Sequence, residues 1–328
     1  MRNLKRALSL AVASVMLLGM MIVGTGAVSV DDFNDADQIN NVEAATITTG
    51  LGLFAGADGN FLPNEPVTRA QMATIICKML YGNDVNADNF KGAGTFQDTA
   101  SYQSGWAEGY INMCASLGIV SGYNESAYGP GDTVTTWQAA LMLQRALGYW
   151  NAAANESIDE LAVTALATQL GFFGDLTLSA NTPLAREDVA VMAFNALFAQ
   201  RVAFDDYRGL YVKANDRNVV VTNGTDDEMN TLAQNTYGLY IAEGVVVSNG
   251  YTEESLSASL RSDAQTEIMF TEDTDLNKDG RNEYVEGDTY CFTVDTDLDM
   301  IGHAANVYYK IERKAPVVYA IVDDATLV

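Results

Sequence analysis

A unit of about fifty residues recurs along this chain, and the recurrence constrains the fold more than any single motif does. The first copy reads LGLFAGADGNFLPNEPVTRAQMATIICKML over 51–80. The second, LGIVSGYNESAYGPGDTVTTWQAALMLQRAL, covers 117–147, and the third, LGFFGDLTLSANTPLAREDVAVMAFNALF, covers 170–198. In each, Leu-Gly closes one helix, a turn with a short extended piece follows, and a second amphipathic helix begins. The Leu-Gly glycine precedes Arg69, Thr136 and Arg186 by 17, 18 and 15 residues. One helix–turn–helix unit of this size cannot bury both faces alone, so three packed together are expected.

The second helix of the first copy carries an odd residue. Thr68 and Gln71 make the Thr-x-x-Gln pattern of a capping box, and Met72, Ile75, Ile76, Met79 and Leu80 follow at helical spacing. Arg69 therefore sits in the first turn, where unpaired N–H groups and the helix dipole already concentrate positive charge. Arg186 occupies the same place in the third copy, behind Ala185 instead of a capping threonine, and the second copy has Thr136 and Trp137 there.

The N-terminus reads as an export signal. Arg2, Lys5 and Arg6 precede an uncharged apolar run over 7–23, and GTGAVS offers a cleavage site after Ala27. A retained anchor is the rival, but 17 residues are short for a span and the acidic flank is no stop-transfer signal. Beyond Ala27 the chain keeps 15 basic against 43 acidic residues, a net charge of −28. That balance argues against nucleic acid as a partner, since phosphate binding needs clustered Lys and Arg. Cys77, Cys114 and Cys291 have neither disulfide-framework nor zinc spacing, and Cys77 and Cys114, each within an apolar helical pattern, read as buried thiols. His303 is the single histidine, which leaves nucleophilic or metal chemistry little to rest on.

Phe33-x-Asp35, Phe96-x-Asp98, Trp106-Ala107, Leu-Gly-Ile-x-x-Gly, a Phe/Tyr-x-Pro turn and Val-Thr-Arg-Ala-Gln together resemble the S-layer homology domain, a module found in threes on bacterial surface proteins. The resemblance runs from about 30 to 200 and is weakest in the third copy, which lacks Phe-x-Asp and the tryptophan. It implies a three-lobed helical assembly that binds secondary cell-wall polymer, often through pyruvylated sugars, on a Gram-positive-type bacterium. It also suggests a use for Arg69 and Arg186: a guanidinium beside a helix N-terminus can grip a pyruvyl carboxylate. On that reading either arginine can be removed without loosening the helices. The rival is a solvated Arg69, or one paired with Glu65. Asp35, Asp98 and Trp106 match the family's acidic and aromatic positions near the sugar, with a packing role for Trp106 equally open.

From about 205 the composition shifts to short runs rich in Val, Tyr and Thr, the pattern of an antiparallel β domain. Within it DLNKDGRNEYVE, 275–286, fits the calcium-loop pattern: Asp275, Asn277, Asp279 and Glu286 as ligands and Gly280 at the turn. Strand-like flanks distinguish it from an EF-hand, and an acidic hairpin turn is the alternative.

The expected organisation is multidomain: signal peptide 1–27, repeats at 28–82, 83–150 and 151–204, then a mainly antiparallel β domain over 205–328. The expected function is that of a non-enzymatic surface-layer protein, held non-covalently on wall polymer and able to self-assemble. An exported enzyme or an adhesin tethered by the same repeats is the alternative.

Overall fold

The structure, a computed structural model, describes residues 30–151, 157–207, 210–213, 231–249, 266–273, 285–294, 296, 298–312 and 315–324. The signal segment and ten of the twelve calcium-loop positions, 275–284, lie outside them. Two compact units divide at Thr236/Tyr237.

In the first unit the helices are α1 (Val42–Gly50), α2 (Arg69–Tyr81), α3 (Glu108–Ser116), α4 (Thr136–Ala146), α5 (Glu160–Gln169) and α6 (Arg186–Phe198), a pair for each copy. The recurring Leu-Gly is a helix stop in all three. Gly52, Gly118 and Gly171 take φ of 72–73°, the left-handed region that suits glycine. The next residues, Leu53, Ile119 and Phe172, donate their N–H five residues back, to Thr48, Cys114 and Ala167, and so satisfy carbonyls the helix leaves free.

Each second helix starts from a buried apolar residue of the extended piece, Val67, Val134 or Leu184. These three close a ring of backbone hydrogen bonds. Val67 N–H donates to Leu184 O (3.0 Å), Leu184 N–H to Val134 O (3.0 Å), and Val134 N–H to Val67 O (2.9 Å). The helices repeat the cycle outside the ring: α3 packs on α2, α5 on α4, and α1 on α6. Each copy thus buries its first helix against the second helix of its neighbour, which is why no copy is complete alone. Glu187 of α6 closes the circle. Its buried carboxylate accepts from the backbone N–H groups of Asn40 and Asn41 (2.5 Å each) and both their side-chain amides, ahead of α1.

The hairpin β1 (Val202–Asp205) and β2 (Leu210–Lys213) belongs to this unit. Val202 N–H donates to Leu147 O (2.9 Å), and Tyr211 packs on Tyr149 with ring centres 5.8 Å apart. The compact boundary therefore falls later than the composition change at 205. The short helix α7 (Leu232–Tyr237) lies across it.

The second unit is a five-stranded antiparallel sheet in the order β5-β4-β3-β6-β7. Its strands are β3 (Leu239–Asn249), β4 (Thr266–Phe270), β5 (Thr289–Phe292), β6 (Ala304–Glu312) and β7 (Ala315–Asp323). Val246, Ile268, Phe270, Val307 and Tyr309 form its core cluster. The Val/Tyr/Thr runs that fall on described residues of this unit are these strands.

Candidate functional site

Sequence places Arg69 at the positive end of a helix with free amides around it. The structure shows those amides already bonded. Arg69 and Ala70 donate their N–H groups to Asp132 O (2.8 Å) and Pro130 O (3.1 Å) of the second copy's turn. Thr136 and Trp137 donate to Thr182 and Ala180 of the third copy, and Arg186 and Glu187 to Glu65 and Pro63 of the first. The third free amide of α2 goes to its own cap, Gln71 N–H to Thr68 Oγ1 (3.3 Å), while Thr68 N–H donates to Gln71 Oε1 (2.8 Å). The expectation of an open anion site on the helix ends is corrected accordingly: the neighbouring copy occupies them.

The Arg69 side chain is buried across the same joint. Nε donates to Tyr128 O (3.1 Å) and Nη2 to Ser121 O (2.9 Å), and the guanidinium lies 4.5 Å from the Tyr128 ring centre and 5.0 Å from that of Tyr123. Tyr128 returns a bond from its hydroxyl to Arg69 O (3.0 Å), and burial raises its phenol pKa. Neither solvation nor an ion pair with Glu65 describes this arginine. It is a strut between the first and second copies, and the expectation that its removal leaves the helices untouched is corrected with it.

Arg186 makes the equivalent crossing from the third copy to the first, with fewer bonds. Nη2 donates to Ala55 O, and the guanidinium sits 5.5 Å and 5.7 Å from the ring centres of Phe54 and Phe61. Nε is buried with no acceptor. Burial lowers the Arg186 pKa to about 10, against an opposing pull from Asp35. Lys78 of α2 lies close enough to be affected: burial and then the Arg186 charge lower its pKa. This joint holds two partly buried cations and a guanidinium Nε that no protein acceptor reaches.

The acidic positions hold the turns. Asp35 accepts from Phe61 N–H (2.7 Å) and Leu62 N–H (2.8 Å), and Asp98 from Tyr128 N–H (3.0 Å) and Gly129 N–H (2.8 Å). Each carboxylate thereby positions the aromatic ring on which the neighbour's arginine lies. Phe33 and Phe96 brace the same rings at 5.8 Å and 5.5 Å. Trp106 is partly buried after a loop in which Gln103 and Ser104 take left-handed φ of 43° and 67°, and its Nε1 donates to Gln103 Oε1 (3.3 Å). The structure brings Arg69 together with the turn Asp98 holds, and Arg186 with the turn Asp35 holds.

Sequence reasoning missed Tyr123, Phe54, Glu187 and Lys78 as parts of these joints. The Phe/Tyr-x-Pro turn did mark Phe61 and Tyr128. In the β unit Asp275, Asn277 and Asp279 lie outside the described residues. Glu286 is exposed, with its N–H donating to Asp273 Oδ1 (3.0 Å). Among the described residues no three His, Cys, Asp or Glu side chains converge on a metal position.

Paired helices closed in a cycle by backbone hydrogen bonds, with a crossing arginine and a carboxylate-held turn at two of the three joints, define a repeat module whose joints lie between copies. Residues 32–73 and 95–136 match the S-layer homology domain family, each from the Phe-x-Asp approach to the start of the second helix. The chain thus carries two segments that match the S-layer homology domain, each covering the joint-forming part of one copy. It is 29% identical over 212 residues to a cell surface protein of Thermoanaerobacter kivui, covering 63% of this chain and 26% of that one. It is 28% identical over 149 residues to a surface layer protein of Brevibacillus choshinensis, covering 44% and 13%. An amylopullulanase of Thermoanaerobacterium thermosulfurigenes shares 31% identity over 104 residues, 32% of this chain and 5% of that one. The chain thus spans about a quarter or less of the length of these relatives.

Proposed function

We propose that the helical unit fastens the protein non-covalently to an anionic secondary cell-wall polymer, with Arg186 as the principal grip on a carboxylate such as a pyruvyl ketal. The observation that carries this reading is the Arg186 guanidinium: largely desolvated, bound to one carbonyl, and left with a buried donor unmatched. A carboxylate there would accept from the donor and offset the desolvation of the guanidinium. Arg69 contributes mainly by shaping its own joint, with Tyr123 beside it. Asp35 and Asp98 act as supports for the two sites by holding the turns the arginines cross to.

The third copy is a third S-layer homology repeat, as its glycine stop, its place in the backbone ring and its arginine support. The protein is a non-enzymatic surface-layer subunit, exported through its N-terminal segment, in which the β unit faces outward or self-assembles. The amylopullulanase similarity favours a second reading, an enzyme on the same kind of anchor. The test is binding of the full chain to purified walls before and after chemical removal of the polymer. Loss of binding on stripped walls is expected, and equal binding to both overturns the proposal.

A further inference from the structure

Cys77 and Cys114 are 37 positions apart in sequence and carry no motif between them, yet the fold sets their sulfurs 3.3 Å apart. Both are fully buried, Cys77 on α2 of the first copy and Cys114 on α3 of the second. Each sulfur faces a backbone carbonyl of the opposite helix, Tyr110 O (3.5 Å) and Ala73 O (3.4 Å). The third cysteine, Cys291, lies on β5 of the other unit and is only half-buried.

We propose that Cys77 and Cys114 form a disulfide that cross-links the first two copies of the helical unit. A disulfide needs the sulfurs at about 2.05 Å, so each must move roughly 0.6 Å, within the reach of side-chain torsions alone. The chemistry is exchange with a small-molecule disulfide. One cysteine thiolate attacks the acceptor's S–S bond and releases one thiolate. The second cysteine thiolate then attacks the mixed disulfide and releases the other. Two protein S–H bonds are replaced by one S–S bond, two electrons pass to the acceptor, and two small thiols leave with the protons. In the folded protein no acceptor can reach the buried pair, and the contact with the Cys77 sulfur, together with burial, holds the Cys114 thiol well above its ordinary pKa. The exchange therefore belongs to folding, before α3 docks on α2, and afterwards burial protects the bond from reductants. The proposal does not depend on the wall-binding reading.

The test refolds the full chain with oxidised glutathione or with dithiothreitol, denatures it in iodoacetamide, and maps unreduced tryptic peptides. Lys78 and Lys91 lie between the two cysteines, so trypsin separates them unless they are linked. The expected result is a Cys77–Cys114 cross-linked peptide in the oxidised sample, with Cys291 outside it. The melting temperature should also stand about 10 °C above that of the reduced sample, from closing a loop of this length. Cys77→Ala should remove both the link and the redox dependence of melting. Alkylation of both cysteines after oxidative refolding, a link through Cys291, or identical melting of the two samples overturns the proposal.

Discussion

Arg69→Ala should destabilise the helical unit by about 2–4 kcal/mol, whereas Arg186→Ala should leave it within about 1 kcal/mol of the parent. Arg69 gives two charge-assisted bonds to carbonyls, each of a kind worth roughly 1.5–3 kcal/mol, and lies over two aromatic rings, which adds about 0.5–2 kcal/mol. Water entering the truncated site recovers part of the sum, which sets the lower figure. Arg186 gives one such bond to Ala55 O and lies farther from its two rings, Phe54 and Phe61. Against these stands desolvation that lowers its pKa to about 10, a cost of the same order as the bond it opposes. The two effects nearly cancel. Urea unfolding followed by tryptophan fluorescence isolates this unit, because Trp106, Trp137 and Trp150 all lie in it. Polymer binding by the same proteins completes the comparison: Arg186→Ala should bind at least tenfold more weakly while melting normally. Equal losses of stability in the two variants, or full binding by Arg186→Ala, would refute the division into strut and grip.

Glu187→Ala removes the acceptor that ties the third copy to the approach of α1, and should cost about 2–4 kcal/mol, read from the same urea curves. Two buried groups pull the alkaline pH dependence in opposite senses: Arg186, with its lowered pKa, adds stability as the pH rises past about 10, and Tyr128 removes it. Burial keeps the Tyr128 phenol protonated above its ordinary pKa of 10, so above pH 10 the unfolded chain binds fewer protons and stability falls. Tyr128→Phe should flatten that slope by up to about 1.4 kcal/mol per pH unit, measured by urea midpoints at successive pH values. Calcium at Asp275, Asn277, Asp279 and Glu286 should raise the melting of the β unit, by about 2.7 kcal/mol at a hundredfold excess over Kd, and Asp279→Ala should abolish the rise in calorimetry.

Much of the fold was legible because local chemistry dictates it. Thr68 and Gln71 announce a helix start through a reciprocal pair of hydrogen bonds, and glycines at 52, 118 and 171 announce helix stops because the left-handed turn there strains other residues. The described strands of the β unit fall on the Val-, Tyr- and Thr-rich runs, whose residue types favour a pleated, half-buried surface. What no local signal carries is which copy meets which. A helix face is apolar whether it packs on its own partner or on the next copy's, so the pairing of α1 with α6 and of α3 with α2 had to come from the structure. The six-residue α7 is too short for periodicity to reveal.

The same gap explains the site. Read one copy at a time, Thr136 in place of an arginine looks like a lost function, and the absence of Phe-x-Asp in the third copy looks like decay. The cyclic pairing joins the two facts. Arg69 crosses to Tyr128 and Arg186 crosses to Phe61, each ring held by the aspartate of its own copy. Thr136 faces the third copy, which has Leu178 at the ring's place and no aspartate to hold it, and its hydroxyl donates to Thr182 O (3.3 Å). Glycine follows the same rule. A Cβ at Gly56 or Gly122 would come within 2.6 Å or 2.4 Å of the bracing Phe33 or Phe96 ring, and the third copy, without such a phenylalanine, carries Asp175 there. Arginine, aromatic ring, aspartate, phenylalanine and glycine are thus kept or lost as a set at each joint. The set is divided between neighbouring copies, so one copy's sequence shows only the part it lends.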